Sequence, residues 1–359
     1  MRRYLPMPDR KSMRLSSGIL LLFMTRCVFA QTDFPRQGLS IQSGFQGGAS
    51  FSTDKIPAYR QYGFVLEINQ QTSGEKYWQA DHRYPQMGLQ ISARGFPGTS
   101  GPGSVFVLIP YLEFNVAESK VGQWQIKHGT GLAYVTGDFE RMQKVPLGSK
   151  LNASSILDIG YQFKTRARFA GKVGIVASHI SNGNLVRPNA GLNSWLGYGQ
   201  LVYFPFGELP TRIPYKLATD FRRWRYRFYL ADGLYDYKKS ENQIQQNIQA
   251  GLLVFYQHST RFRTGAGLEL GRVGKGEKTQ LAGYLEEEVL FAHLVTRYGF
   301  GVYLTPPIAD ESRTYAKVGI AWYPCELQKQ IANGFSIGAT IKAHGFRAAH
   351  VELAAGYTF

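Results

Sequence analysis

The fold around the candidate site is decided by the stretch Ser178-His179-Ile180-Ser181-Asn182-Gly183-Asn184-Leu185-Val186-Arg187-Pro188-Asn189-Ala190-Gly191-Leu192-Asn193. Runs of strand character precede it at 168–177 and follow it at 194–204, and its Asn, Gly and Pro residues favour a turn. The sequence therefore predicts a β-hairpin. Because side chains alternate along a strand, His179 and Ser181 project from one face and Ile180 from the other.

The turn brings a third polar residue close to this pair. Its midpoint lies near Val186, so a symmetric hairpin places Asn193 across from His179, with about 5 Å between the two Cβ atoms. Ser181, His179 and Asn193 would then supply the hydroxyl, the imidazole and the orienting group that nucleophilic catalysis requires. The alternative is a polar strand end with no catalytic role.

A longer pattern of motifs accompanies the pair. The His-x-Ser-Asn motif at 179–182 and the Pro-Asn-x-Gly motif at 188–191 resemble the signature of the lipid A 3-O-deacylase (PagL-like) and acyloxyacyl hydrolase family of Gram-negative outer-membrane enzymes. The resemblance extends upstream through 129–134 and 147–152, and covers 124–204.

This resemblance implies a role for each residue of the motif. His179 would be the general base, Ser181 the nucleophile, and Asn182, with a neighbouring amide such as that of Gly183, would hold the oxyanion. No cofactor and no metal are implied.

One position departs from the family pattern. The best-known members carry a Glu, the acid of the triad, where this chain has Asn193. Either Asn193 orients His179 through its amide oxygen, or a carboxylate from the preceding loop, Asp138 or Glu140, takes the place of the Glu. We expect the first, because the hairpin already fills the position opposite His179.

The composition of the chain predicts an all-β membrane protein. It contains 40 Gly, 22 Tyr and 23 Phe, and short segments alternate between apolar and polar residues, as in 87–94, 224–230, 248–256 and 335–342. This pattern, without an apolar run of about 20 residues after the first thirty, is typical of an antiparallel transmembrane β-barrel. The last alternating segment ends on Phe359, which resembles the assembly signal of such barrels.

Counting the segments predicts about sixteen strands, with twelve or fourteen possible: 38–47, 59–69, 86–94, 104–116, 122–135, 152–163, 166–181, 193–204, 224–232, 244–257, 262–272, 280–292, 294–304, 314–323, 334–343 and 349–359. An even number closes a barrel with both ends in the periplasm, and this numbering places the long loops and the site hairpin outside. The connections 70–85 and 205–223 are too long for periplasmic turns.

The domain organisation predicted from these patterns is a signal peptide followed by one barrel. Residues 1–30 have a basic start, an apolar run and a small-residue cleavage pattern, so the protein is expected to be exported to the Gram-negative outer membrane. Residues 31–359 form the barrel, with a PagL-like part at 38–204 and additional strands at 205–359. The sequence leaves open whether these additional strands close one large barrel or make a second unit. Only Cys325 remains after cleavage, so no intramolecular disulfide is expected.

The charge of the chain fits an anionic partner. The net charge is +16, but the Lys and Arg residues are scattered and accompany no nucleic-acid recognition motif. A phosphorylated, anionic lipid headgroup is therefore the expected partner, and the family resemblance implies that it belongs to lipid A, lipopolysaccharide or a related glycolipid. The alternative is a basic rim that only neutralises neighbouring lipopolysaccharide. The run 286–288 is interpreted as structural, with Glu287 outward, and His344 and His350 are weak candidates for a second polar site.

These observations predict an outer-membrane serine esterase whose site lies on the lipid-facing wall, because His179 and Ser181 share the face of Phe169, Val173 and Ile175. The alternative, from another functional class, is a non-catalytic barrel, either a porin or a structural protein.

Overall fold

A computed structural model describes residues 37–51, 59–97, 103–137, 147–164, 168–183, 189–207, 210–214, 223–238, 243–273, 278–307, 312–324, 334–344 and 347–359. The predicted signal peptide, the loop carboxylates Asp138 and Glu140, and Cys325 lie outside the described residues.

The first half of the chain forms a closed antiparallel barrel of eight strands. They are β1 (Leu39–Phe51), β2 (Tyr59–Gln71), β3 (Gln86–Gly95), β4 (Ser104–Glu118), β5 (Gly122–Val135), β6 (Leu151–Phe163), β7 (Phe169–Ser181) and β8 (Leu192–Tyr203). Each strand pairs with the next, and β8 returns to pair with β1 from Ile41↔Tyr203 to Phe51↔Asn193. A short helix, α1 (Tyr77–Asp81), interrupts the connection between β2 and β3.

The second half forms another closed barrel of eight strands. They are β9 (Trp224–Lys238), β10 (Gln243–Gln257), β11 (Phe262–Val273), β12 (Lys278–Phe291), β13 (Leu294–Tyr303), β14 (Thr314–Trp322), β15 (Gly334–His344) and β16 (Arg347–Thr358). The barrel closes where β16 pairs with β9, from Glu352↔Gly233 to Thr358↔Arg227. Among the described residues, no helix is long and apolar enough to cross a membrane.

The prediction of sixteen antiparallel strands is confirmed, but the single barrel is corrected to two barrels. Because β8 bonds to β1, neither strand has a free edge left to pair with β9 or β16. The segment 205–223 is therefore the link between the two barrels, which explains its length. The other long connection, 70–85, contains α1.

Side chains alternate across the wall of each barrel as the sequence predicts. On β7, the outward Phe169, Val173 and Ile175 are exposed, whereas Lys172 and Val176 are buried inside. The apolar face is therefore the outer wall, where it can contact lipid, and the polar face lines the interior.

Ion pairs fill the interior of the first barrel. Lys127 Nζ lies 2.5 Å from Glu67 Oε1 and 3.2 Å from Asp158 Oδ2, and Lys172 pairs with Glu113. All five side chains are almost completely buried, so each charge is stabilised by its partner.

The interior of the second barrel is filled in the same way. Arg227 bonds to both Glu286 and Glu288, and Lys317 Nζ lies 2.7 Å from Glu269 Oε1 and 2.9 Å from Glu352 Oε2. The run 286–288 is thus structural, with Glu286 and Glu288 inside and Glu287 on the outward face. His350 Nε2 lies 3.0 Å from Glu352 Oε1, and His344 stacks on Tyr303, so both histidines belong to this interior.

The two barrels touch beside α1, at the end of the barrels that carries the shorter turns. The His82 ring stacks on Phe291 at 4.4 Å between centroids, and its Nε2–H donates to Leu290 O at 2.7 Å. Arg261 Nε lies 3.7 Å from Asp81 Oδ1. Burial lowers the pKa of His82 to about 4 from 6.5, so the contact requires the neutral ring.

This contact should weaken in acid. A separated His82 takes up a proton near pH 6.5, well above the pKa of the docked ring, so docking is lost progressively as the pH falls from about 6.5 toward 4. Spin labels on cysteines introduced by Glu75→Cys and Phe335→Cys, with Cys325→Ser, should show one narrow distance at pH 7.5 that broadens over this range. His82→Phe keeps the stacked ring but cannot titrate, so its distance should not respond. A pH-insensitive distance with His82 present would contradict the proposed contact.

The outward direction of β7 can be tested by labelling. A cysteine at Ile175→Cys should react with a membrane-dissolved maleimide, because Ile175 is 58% exposed on the outer wall. Val176→Cys is the matched control, since Val176 points into the filled interior and is 4% exposed. Labelling of position 175 by water-soluble reagents alone would show that the outer wall is assigned to the wrong face.

Candidate functional site

The end of the β7–β8 hairpin brings His179 and Asn193 together. They are register partners on β7 and β8, as the position of the turn predicts. His179 Nδ1 lies 2.7 Å from Asn193 Oδ1. Because an amide oxygen only accepts, Nδ1 carries the proton and donates, which leaves Nε2 as the basic nitrogen of the neutral ring.

Ser181 lies two residues beyond His179 on the same outward face, at the last position of β7. His179 is exposed, whereas Ser181 is only 4% exposed. Within the described part of the chain, no hydrogen bond joins Ser181 to His179. Catalytic hydrogen bonds of this kind often tighten only when substrate binds.

The loop before β6 holds Asn182 in place. The backbone N–H of Asn182 donates to Asn189 Oδ1 at 3.1 Å, and Asn182 Nδ2 donates to Ser149 Oγ at 2.8 Å. Leu147 is buried and forms an isolated bridge to Asn189. The motif at 147–152 therefore supports the residue that follows Ser181.

Ser149 and Asn189, which hydrogen-bond to Asn182, have no predicted role in the sequence analysis. The motifs at 147–152 and 188–191 that contain them can be recognised in the sequence. Their contacts with Asn182 cannot, because they form between separate segments of the chain. Asp138 and Glu140, the alternative acids, lie outside the described residues.

Two glycines allow the backbone to approach the site closely. Gly191 has φ +71°, and a Cβ added there would lie 3.0 Å from His179 Cε1. Gly183 has φ +65°, and an added Cβ would lie 2.6 Å from Val351 Cγ2 on β16. Only glycine adopts this conformation at little cost, and the second barrel thus packs against the residue beside Asn182.

This arrangement has the chemical parts of a hydroxyl nucleophile and its base. A neutral imidazole is held in one tautomer, a serine hydroxyl shares its face, and polar amides follow the serine. These are the groups that acyl transfer requires, and they lie on the face of β7 that points outward.

Two family models match the chain. The first, "Lipid A 3-O-deacylase (PagL)", covers residues 58–199, and the second, "Acyloxyacyl hydrolase, C-terminal domain", covers residues 224–359. The PagL model matches within the first barrel, and the acyloxyacyl hydrolase model spans the whole of the second barrel. The link at 205–223 lies between the two matched segments. No curated protein matches the chain.

Solved outer-membrane proteins show weaker likenesses. The crystal structure of the outer membrane enzyme PagL is 22% identical, with 45% of this chain and 97% of that chain covered and a TM-score of 0.32. A Rhodopseudomonas blastica porin variant is 9% identical, with 89% and 100% covered and a TM-score of 0.17. The Acinetobacter baumannii protein Omp33 is 8% identical, with 90% and 100% covered and a TM-score of 0.18. Because these TM-scores are low, the two family models alone indicate which family the chain is related to.

Proposed function

Because the chain belongs to the lipid A 3-O-deacylase (PagL) and acyloxyacyl hydrolase family, we propose that it is a serine esterase of the outer membrane that removes an acyl chain from lipid A or a related glycolipid. The observation that carries this proposal is the hydrogen bond from His179 Nδ1–H to Asn193 Oδ1, on the outward face that Ser181 shares.

The first step is attack by Ser181 Oγ on the ester carbonyl carbon. His179 Nε2 takes the hydroxyl proton as the bond from Oγ to carbon forms, and the carbonyl oxygen becomes an oxyanion. Asn193 Oδ1 keeps the ring oriented through Nδ1–H. When the tetrahedral intermediate collapses, the bond to the alcohol oxygen breaks and His179 returns the proton to it, which leaves an acyl-serine.

The second step is hydrolysis of that acyl-serine. Water gives a proton to His179 Nε2 and adds to the acyl carbon, and Ser181 leaves with the proton returned by His179. The proposed oxyanion donors are the amides of Asn182 and Gly183. The backbone N–H of Asn182 bonds to Asn189 Oδ1 in the present state, so it would exchange that partner for the oxyanion.

The interiors of the two barrels disfavour the porin alternative. An eight-stranded barrel is only wide enough for side chains to fill, and here the described interior residues form buried ion pairs such as Lys127 with Glu67 and Arg227 with Glu288. A site on the outer wall, beside apolar side chains, suits an enzyme whose substrate is a membrane lipid.

Expression in a Gram-negative host tests this function. The mass spectrum of lipid A should show a species lighter by one acyl chain, because the site faces the layer that contains its substrate. Hosts that express only one half of the chain, either 1–204 or 224–359 behind the same leader, show how much each barrel contributes to the change in the lipid A spectrum. An unchanged spectrum, with folded full-length protein in the outer membrane, would count against the esterase and leave a structural barrel.

A further inference from the structure

Four polar side chains lie in one line across the outer wall of the first barrel. Thr130 on β5 pairs in register with Ser155 on β6, Ser155 pairs with His179 on β7, and His179 pairs with Asn193 on β8. We call these four residues the outer polar row. Neither the composition nor the alternation of any single strand indicates this row, because it exists only across four strands.

The row continues the site into the apolar wall. On β5, the outward positions after Thr130 are Leu132 and Tyr134, and on β6 the outward positions before Ser155 are Ala153 and Leu151. Tyr134 is 44% exposed and Leu151 is 58% exposed, so the lipid-facing surface extends beyond the two hydroxyls on the loop side. Thr130 and Ser155 are therefore inside the apolar face and not at its polar edge.

Among the described residues, the two hydroxyls have one donor more than they use. Thr130 Oγ1 and Ser155 Oγ lie 3.0 Å apart, so one of them donates to the other. Each hydroxyl carries one O–H, which leaves one O–H of the pair to donate elsewhere. In a wall that faces hydrocarbon, an unused donor is costly, and an oxygen of a bound lipid can accept it.

The geometry of the row limits which oxygen can bind. Thr130 and His179 are separated by two strand spacings, about 10 Å. The ester that is cleaved lies at His179 and Ser181, so the acceptor belongs to another linkage of the same lipid. A carbonyl oxygen of a second ester or amide linkage meets this requirement.

We propose that Thr130 and Ser155 form a subsite that binds the carbonyl group of a second acyl linkage, and so selects lipids with several acyl chains on one headgroup. This inference rests on the proposed function. Lipids with a single acyl linkage have no group for the subsite, whereas a multi-acylated glycolipid is held with its cleavable ester beside His179.

The selectivity between two substrates tests the subsite. Lipid A and a nitrophenyl ester of a fatty acid are offered in the same detergent micelles, and the ratio of their kcat/KM values is measured. The double variant Thr130→Val, Ser155→Ala should lower the ratio of kcat/KM for lipid A to kcat/KM for the nitrophenyl ester about tenfold. The reason is that the substitutions remove a hydrogen bond that lipid A makes and the nitrophenyl ester does not. Thr296→Val, at an outward threonine of β13 in the second barrel, is the matched control and should leave the ratio unchanged.

Lipid retention decides the question without catalysis. After detergent exchange, Ser181→Ala protein should retain about tenfold more lipid A than Ser181→Ala protein that also carries Thr130→Val and Ser155→Ala. The proposal requires both results. An unchanged ratio, or equal retention, would show that the two hydroxyls bind no lipid carbonyl. If the wild type cleaves neither substrate, the proposed function fails, and retention alone still decides whether the subsite exists.

Discussion

Ser181→Ala should lower lipid A deacylation by at least about 10³-fold and leave the barrels folded. The substitution removes the only atom that can form the acyl-serine, and loss of a serine nucleophile removes most of the catalysis that a serine hydrolase achieves. Ser181 ends β7, where its hydroxyl makes no strand hydrogen bond, so the pairing of β7 with β6 and β8 is preserved. The loss is measured on lipid A in micelles, and the fold by heat-modifiable migration of the barrel on a gel.

Ser178→Ala is the matched control for this change. Ser178 lies on the same strand, three residues earlier, but its side chain is buried on the inward face. Both variants remove one serine hydroxyl from β7. A loss of activity in Ser181→Ala alone would therefore come from the missing nucleophile and not from altered packing of the strand. Full activity in Ser181→Ala would mean that another group is the nucleophile, and equal losses in both variants would point to damage of β7.

The geometry of the hairpin could be predicted from the sequence because it is local. Alternation fixes which face His179 and Ser181 share, and the position of the turn fixes which residue lies opposite His179. The His179↔Asn193 pair confirms the second of these predictions. The supports of Asn182 could not be predicted, since Ser149 lies more than thirty residues earlier on a separate loop.

The number of strands could also be predicted, but the closure of the barrels could not. Period-two alternation is identical in a strand of an eight-stranded barrel and in one of a sixteen-stranded barrel. What separates them is whether β8 bonds to β1 or to β9, a pairing between segments about 150 residues apart in the chain. The same applies to the outer polar row, where the residues are ordinary on each strand and become a group only through registers between strands.

Asn193→Glu should raise deacylation by one or more orders of magnitude. Asn193 Oδ1 already accepts the Nδ1–H of His179 and so fixes the tautomer, but a neutral amide gives little stabilisation to the imidazolium that forms when Ser181 attacks. A carboxylate in the same place stabilises that cation. Replacing the triad Asp of a serine protease by Asn costs about 10⁴ in rate, although much of that loss comes from the wrong tautomer, which is not present here.

The direction of the pH dependence provides a second measurement. A carboxylate beside Nδ1–H favours the protonated ring, so the acid limb of the rate profile should move to higher pH in Asn193→Glu. Asn193→Leu is the control of similar size, and it should lower activity because Nδ1–H loses its acceptor. The competing possibility is that Asp138 or Glu140 serves as the acid. A fall in activity for Asn193→Glu, with comparable losses in Asp138→Asn or Glu140→Gln, would establish that the loop supplies the carboxylate and that the introduced Glu repels it.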